Sequence, residues 1–386
     1  MSKEHKGMEG IVVLDLTSLL PGPYCTSLLQ SFGAEVWKIE PPNTGEPNRN
    51  IFESFACLNM GKKSITLNLK SKEGLNIIKK MAEKADVFIE SFRPGIASRL
   101  GLDYAAIKEV NPKIIYCSIS GFGQDGLYRN KPAHDINVQA LCGSLNTNIQ
   151  KEGLPDAIFP VGDLAAGLFA ALGISNALLK RQRDGEGMYL DISMADGILT
   201  WTVLTQLLRI QTKSNISTKE FELMDRGVPT YGLFETRDGQ LIALAIVNED
   251  HFWKNFCIAV EKPEWVNMDF QDRIESGLKL REELRRLFRS KTLNDWIKLL
   301  EPIDIPITKV NSFEDAIQDP QFKYRRIIHT TEINGYTIPF VRNPVLPTRS
   351  NLEIRVPTLG EHTLELMQRI GYDSHEIEKF RMSGII

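Results

Sequence analysis

One histidine and two aspartates lie close together along this chain and could carry acid–base chemistry. His134 is followed directly by Asp135 in the segment KPAHDIN, and Asp163 follows a glycine in PVGDLAAG. An imidazole can donate or accept a proton near neutral pH, and a carboxylate can act as a base or attack an acyl carbon. The pattern predicts an enzyme that transfers a proton or attacks an activated acyl group.

Each candidate side chain also has a structural interpretation. Asp163 precedes an apolar run and could cap a helix, whose free N–H groups and dipole would keep its carboxylate ionised. His134 could be a partly buried, hydrogen-bonded histidine. Glu249, in VNEDHFW, could cap the helix that follows it. Spacing alone leaves both interpretations open for all three residues.

Basic residues near predicted strand ends are candidates for holding an anion. Lys62, Lys63, Arg93 and Arg99 follow turns, and together they could bind a phosphate-bearing ligand such as coenzyme A or a nucleotide. A solvated surface is the alternative for any one of them. The glycine-rich segment 121–126 is neither a dinucleotide fingerprint nor a phosphate-binding loop. We expect no bound metal and no separate cofactor.

Composition excludes several classes of function. The 386 residues have a formal charge of −3, with 42% hydrophobic and 25% charged residues, so the chain has no basic footprint for nucleic acid. Its five cysteines show no paired metal spacing and suit a reducing compartment. The apolar stretch 10–20 contains Asp15 and is too short to span a bilayer. We expect a cytoplasmic enzyme without nucleic-acid or membrane partners.

Alternating strand and helix patterns must position the candidate residues. Helical patterns occupy 21–33, 71–85 and 163–183. Apolar, β-branched runs predict strands at 10–17, 34–40, 64–70, 86–92, 113–120 and 188–194. This alternation favours an α/β fold with a parallel doubly wound sheet, in which functional residues lie on loops at strand ends.

A change of pattern in the second half of the chain predicts a second domain. A hairpin is expected over 230–247 with Asp238-Gly239 at its turn, after a polar stretch, 211–222, that could be a linker. Helical patterns then run through 250–300. We predict three parts, namely a large domain at 1–210, a smaller inserted α/β domain at 225–325, and a C-terminal part at 326–386 that returns to the large domain.

The chain resembles the family III coenzyme A transferases of the CaiB/BaiF type, which include the α-methylacyl-CoA racemases. The resemblance implies a Rossmann-like large domain with a smaller domain, an interlocked homodimer, and acyl-CoA thioester substrates. It covers essentially the whole length and is carried by LLPGPYC (19–25), FGAEVWKIEPP (32–42), GKKSITLNLK (61–70), ADVFIESFRPG (85–95), SGFGQDG (120–126), GDLAAG (162–167), DPQF (319–322) and LGEHT (359–363).

Matching positions imply roles for several residues. Asp163 stands where the family has its catalytic aspartate. Arg99 is similar to the arginine that contacts the CoA nucleotide, with Lys62 and Arg93 as helpers. Many members have an arginine where this chain has Pro41, so one CoA contact is absent or supplied elsewhere.

The motifs favour the racemase branch, although the transferase branch stays open. AHDIN (133–137) contains the His-Asp-Ile-Asn sequence of the racemases, which also have a glutamate where Glu249 stands and a methionine where Met194 stands. Gln139, in VQALCG, is transferase-like and favours the transferase branch. Leu20 disfavours it, because formyl-CoA transferase has a glutamine at this position.

The two branches imply different chemistry at the same residues. In a racemase, His134 and Asp163 would face opposite sides of the α-carbon of a 2-methylacyl-CoA. Glu249 would orient His134, and the N–H of Asp135 would bind the enolate oxygen. In a transferase, Asp163 would form a mixed anhydride and then an enzyme–CoA thioester. A CoA-binding protein without chemistry is a third, disfavoured interpretation.

Overall fold

A parallel six-stranded sheet forms the first part of the fold. The computed structural model describes residues 7–145, 159–203, 227–333, 335–346 and 355–386. The strands run in the order β3-β2-β1-β4-β5-β6, with every neighbouring pair parallel. They are β1 (Val12–Leu16), β2 (Glu35–Glu40), β3 (Lys63–Thr66), β4 (Val87–Glu90), β5 (Ile115–Ser120) and β6 (Met188–Ser193). This order confirms the predicted doubly wound, Rossmann-like α/β class.

Helices cover both faces of the sheet because successive strand residues point to opposite sides. Val13 belongs to one buried apolar cluster and its neighbour Leu14 to the other. The helices before β6 are α1 (Pro21–Ser31), α2 (Phe52–Asn59), α3 (Lys72–Ala82), α4 (Ile96–Leu100), α5 (Tyr104–Val110), α6 (Asp135–Leu141) and α7 (Val161–Asp184). Ser71 caps α3, as its position suggests, by accepting the N–H of Gly74 at 2.9 Å.

Helix α7 is a core helix of this unit. Among the described residues it is the one helix long and apolar enough to cross a membrane, yet half of that stretch is buried inside the fold. Its buried side chains, including Ala166 and Ala170, join the apolar cluster beneath the sheet. Gly167 lets α7 approach α1 closely, since a Cβ atom there would lie 2.6 Å from the carbonyl oxygen of Pro21.

The chain divides into two units, and the second comprises Thr205–Tyr324. Its described part contains an antiparallel sheet of β7 (Tyr231–Glu235), β8 (Leu241–Ala245) and β9 (Ile307–Lys309), with the predicted hairpin between β7 and β8. Its helices are α8 (Asp250–Ala259), α9 (Phe270–Phe288), α10 (Leu293–Leu300), α11 (Phe313–Gln318) and α12 (Pro320–Tyr324). Trp253, Trp265 and Trp296 form much of its buried core.

The first unit consists of Met1–Leu204 and Arg325–Ile386. The returning segment adds the antiparallel pair β10 (Ile328–Ile333) and β11 (Tyr336–Val341), followed by α13 (Thr363–Arg369) and α14 (Ser374–Met382). The predicted linker at 211–222 lies outside the described residues.

Two expectations about strands differ from the structure. The strand expected over 64–70 ends at Thr66, which is paired with Glu40, the last residue of β2. Prolines follow Glu40 and end β2, so β3 has no partner for a longer ladder. The β10–β11 hairpin was not predicted at all, although both strands contain β-branched and aromatic residues that favour strands.

Candidate active site

A cavity of about 830 Å³ opens at the carboxyl ends of the parallel strands. Segments that follow β1, β4, β5 and β6 line it, and they contribute Ser18, Arg93, Gly121 and Met194. Strands β1 and β4 flank the point where the order of the sheet reverses. Open α/β sheets bind their ligands at this switch point, so the cavity is the primary candidate site.

The structure brings His134 and Asp163 together as lining residues of this one cavity. His134 occupies the N-cap position of α6, and its side chain is exposed. Asp163 lies in the first turn of α7, after Pro160 at the N-cap position. The alternative in which Asp163 caps this helix is therefore wrong. Two helix starts present the imidazole and the carboxyl group to the same space.

Asp135, rather than Asp163, accepts the free backbone N–H groups at the N-terminus of α7. Its Oδ1 atom accepts the backbone N–H of Gly162 at 2.7 Å and that of Asp163 at 3.1 Å. The side-chain amide of Gln139 donates to Oδ2 of Asp135 and also to the carbonyl oxygen of Phe159, the latter at 2.9 Å. Because its amide is used in this bridge, Gln139 connects α6 to the start of α7 as a structural residue.

The pKa of Asp163 differs from the sequence-based expectation. Burial, together with repulsion from the carboxylate of Asp135, raises the pKa of Asp163 from 3.8 to about 7. The expectation that the helix N-terminus keeps Asp163 ionised at neutral pH is wrong, because those N–H groups bond to Asp135. A carboxyl group with a pKa near 7 can hold or release a proton at physiological pH.

Positive side chains gather at the same cavity. Arg93, Arg99, Arg129 and Lys131 all line it. Among the described lining residues, Asp163 is the one carboxyl group. The sequence analysis missed Arg129 and Lys131, although both stand between a glycine-rich turn and His134. Such a surplus of cations suits a phosphate-rich ligand.

Lys62 and Lys63 lie away from this cavity, which corrects their assignment as CoA contacts. The ammonium group of Lys62 is buried and lies 3.1 Å from Asp15, 2.7 Å from Thr26 and 2.8 Å from Asn59. An ammonium group has three donors, so none is left for a phosphate. Lys63 forms an ion pair with Glu35 at 3.2 Å. Sequence position could not reveal this burial.

Glu249 belongs to the second unit, at the N-cap position of α8. The capping alternative predicts that the Glu249 carboxylate accepts an N–H of this helix, and it does not. The carboxylate instead accepts the backbone N–H of Val247 at 2.9 Å. This hydrogen bond lowers the pKa of Glu249. Its assignment as the partner of His134 stays a prediction.

A smaller apolar cavity of about 390 Å³ adjoins the first. Ser18, Phe92 and Ile96 line both cavities. The remaining lining includes Ile39, Pro41, Pro42, Leu67 and Leu69, from the ends of β2 and β3. Pro41, the position at which the family resemblance implies an arginine, contributes apolar surface to this cavity.

The structure is thus a doubly wound α/β protein in which a histidine and an aspartate line one cavity together with several arginine and lysine side chains. The chain belongs to the CoA-transferase family III, whose model matches residues 8–363. Members of this family are enzymes that act on acyl-CoA thioesters. The resemblance noted in the sequence is therefore confirmed at the level of the family.

Curated relatives include both transferases and racemases. The mouse succinyl-CoA:glutarate CoA-transferase is 31% identical over 402 residues, covering 99% of this chain and 90% of the relative. The human α-methylacyl-CoA racemase is 29% identical over 391 residues, covering 98% of this chain and 97% of the relative. Because these identities are nearly equal, the comparisons assign the family but do not distinguish CoA transfer from racemisation.

Solved structures show the same fold. A CaiB/BaiF family protein from Brucella suis superimposes with a TM-score of 0.80 at 24% identity, covering 95% of this chain and 100% of that one. A protein from Mycobacterium tuberculosis gives a TM-score of 0.78 at 27% identity, covering 93% of this chain and 98% of that one. The α/β architecture with a smaller second unit is therefore that of the CaiB/BaiF proteins.

Proposed function

We propose that this protein exchanges the α-proton of a 2-methylacyl-CoA thioester and so interconverts its two epimers. His134 and Asp163 act as the paired acid and base. The observation that carries the proposal is that both side chains line one cavity, in which the pKa of Asp163 is raised to about 7. Reversible exchange needs one group that accepts a proton and another that donates one at the same pH. The imidazole of His134 carries one nitrogen that can donate a proton and one that can accept a proton, as this exchange requires.

Proton removal places negative charge on the thioester oxygen, which requires a hydrogen-bond donor. We assign this role to the backbone N–H of Asp135, the first residue of α6. The side chain of Asp135 holds the start of α7, so one residue would position both the oxygen donor and the base. Met194 borders the same space and adds apolar surface. CoA enters as part of the substrate.

The two neighbouring cavities supply a site for the CoA portion. Arg93 and Arg99 bind its phosphates, and the apolar cavity lined by Pro41 takes the adenine ring. The proline thus gives the nucleotide base a surface where other members have an arginine. Replacing Arg99 with alanine should raise KM at nearly constant kcat, because phosphate contacts are equal in ground and transition states.

CoA transfer between carboxylic acids is the second candidate. The observation that favours it is the Asp163 carboxyl group in the cavity, together with transferases among the relatives. Asp163 would attack the thioester carbonyl and release CoA thiolate, which gives a mixed anhydride. The thiolate would then attack the aspartyl carbonyl and release the first acid, and the resulting enzyme thioester would pass CoA to a second acid.

A homodimer is also part of the proposal. Helix α7 exposes Leu168, Leu172 and Leu179, whose exposed fractions are 47%, 63% and 61%. An exposed apolar stripe of this kind is typical of an interface between subunits. Sedimentation or light scattering should give twice the mass of the chain, and a monomer at micromolar concentration would contradict this assignment.

The deciding experiment is mass spectrometry of a 2-methylacyl-CoA incubated with the enzyme in heavy water without any acceptor acid. We expect uptake of one deuterium at the α-carbon, loss of this uptake in His134→Ala, and normal uptake in the control His375→Ala, whose side chain is exposed on α14. No uptake with several 2-methylacyl-CoAs, combined with a hydroxylamine-sensitive adduct on Asp163, would establish CoA transfer instead.

A further inference from the structure

Leu19 adopts an unusual backbone conformation at the edge of the active-site cavity. Its φ angle is 65°, in the left-handed region that side chains with a Cβ atom disfavour. Leu19 follows β1, lines the cavity and exposes 41% of its surface. A branched residue stays in this conformation only when its surroundings hold it there.

Two buried side chains hold the backbone of Leu19 from both sides. Its N–H donates to Oε2 of Glu46 at 3.0 Å, and its carbonyl oxygen accepts from Nδ2 of Asn48 at 2.6 Å. Only 3% of Glu46 and 8% of Asn48 is exposed. Both lie on the segment after β2, where Pro47–Asn50 forms a short 3-10 helix. We name Glu46 and Asn48 the Leu19 clamp.

The Leu19 clamp is itself fixed to the sheet. The backbone N–H of Glu46 donates to Glu40 at 3.1 Å, and Glu40 forms an ion pair with Arg49 at 2.6 Å. The side chain of Asn59 donates to Oε1 of Glu46 at 3.3 Å. Because Glu40 ends β2, the clamp is built on a rigid element and is formed before substrate binds.

We propose that Glu46 and Asn48 are positioning residues that act through Leu19. They keep its backbone in the left-handed conformation and thereby fix the course of the segment 18–21, of which Ser18, Leu19 and Pro21 line the acyl-CoA cavity. This inference rests on the proposed function, since it takes the cavity to be the acyl-CoA site. Without the clamp, Leu19 would favour ordinary backbone regions by about ten-fold, and the affinity for substrate would fall in proportion to the competent fraction.

The test is Asn48→Ala in three backgrounds: Leu19, Leu19→Ala and Leu19→Gly. Among the described residues the side chain of Asn48 bonds only to Leu19, so its loss removes one contact. Because the hydrogen bond from Leu19 to Glu46 remains, we expect the loss of one hydrogen bond to raise KM for the 2-methylacyl-CoA about five-fold, with kcat changed less than about two-fold, in the Leu19 and Leu19→Ala backgrounds. In Leu19→Gly the rise should be under about two-fold, because glycine adopts a positive φ without help.

Calorimetric titration of the same variants with coenzyme A separates this inference from the proposed reaction. If the wild type shows no proton exchange, the proposed reaction fails, but the dissociation constants for CoA should still follow the three-background pattern. Equal losses in the Leu19→Ala and Leu19→Gly backgrounds would overturn the clamp. Asn48→Asp keeps the size of the side chain but turns the donor into an acceptor, so it should reproduce the loss of affinity.

Discussion

Replacing Asp163 with asparagine should make the protein more stable while abolishing its activity. Burial and the charge of Asp135 raise the pKa of Asp163 from 3.8 to about 7, which means that the folded state disfavours the ionised carboxylate. Asparagine is nearly isosteric with aspartate and carries no charge. The substitution therefore removes an electrostatic cost that the active site maintains, a trade-off common at functional sites.

The magnitude follows from the pKa. At about 1.36 kcal/mol for each pKa unit, the rise to about 7 corresponds to about 4 kcal/mol in the free energy of unfolding. Asp163 is half-buried beside an open cavity, so water screens part of this cost, and we expect about 2 kcal/mol. A gain of this size should raise Tm by roughly 4 °C.

The pH dependence gives the sharper test. Below pH about 4 the carboxyl group is protonated in the folded and unfolded states, so the wild type pays no cost there. Between pH about 4 and 7 the unfolded state ionises first, and the wild type progressively loses stability relative to the variant. Above pH 7 the difference is constant. Thermal unfolding from pH 4 to 8.5 measures this curve.

Asp125→Asn serves as the matched control, since Asp125 is exposed in the same unit. Its unfolding curve should follow that of the wild type within about 0.5 kcal/mol. A difference in Tm between Asp163→Asn and the wild type that is the same at pH 4 and pH 8 would refute the reasoning. So would a variant less stable than the wild type at pH 8, because either result means that the folded state tolerates the ionised carboxylate.

Three further substitutions test the packing and the charges of the first unit. In thermal unfolding, Gly167→Ala should lower the free energy of unfolding by about 2 kcal/mol, because its Cβ atom would lie 2.6 Å from a main-chain oxygen of α1. Gly173→Ala is the control and should be neutral or stabilising, because the nearest atom to its Cβ would lie at 3.5 Å. Lys62→Met should cost about 3 kcal/mol in denaturant unfolding, since it removes one of two buried lysines beside a buried carboxylate. Asp135→Asn removes the charge that helps to raise the pKa of Asp163, so the acid limb of the pH–rate profile for deuterium exchange should move to lower pH.

The sheet could be predicted from sequence because its signals are local. Most of these strands are short segments rich in apolar, β-branched residues, and they are followed by proline, glycine or polar residues. The β10–β11 hairpin has a local signal too, an Asn-Gly pair between two runs rich in β-branched and aromatic residues at 328–341, but it was not predicted. The early end of β3 could not be predicted from its own sequence, because β3 ends at Thr66, the residue that pairs with the last residue of β2.

The candidate site could be predicted only as far as residue type and chain position allow. His134 and Asp163 carry chemistry that a sequence displays directly, and the structure brings both to one cavity. Lys62 looked equally suitable for binding phosphate, but it is buried against Asp15, which lies 47 positions away along the chain. Whether a lysine faces solvent or a buried aspartate depends on tertiary packing, and no spacing rule contains that information.

Asp135 and Asp163 both lie near the N-terminus of α7, but only the side chain of Asp135 accepts the N–H groups there. The N–H groups that begin α7 stabilise the side chain of Asp135 by hydrogen bonds. Asp163 receives none of that stabilisation and instead lies near the charge of Asp135 in a half-buried position. The hydrogen bonds give Asp135 a structural role, and the raised pKa of Asp163 leaves a carboxyl group in the cavity that can hold or release a proton near pH 7. The sequence alone leaves open whether Asp163 caps the helix, and only the tertiary contact between the start of α6 and the start of α7 shows that Asp135 accepts these N–H groups instead.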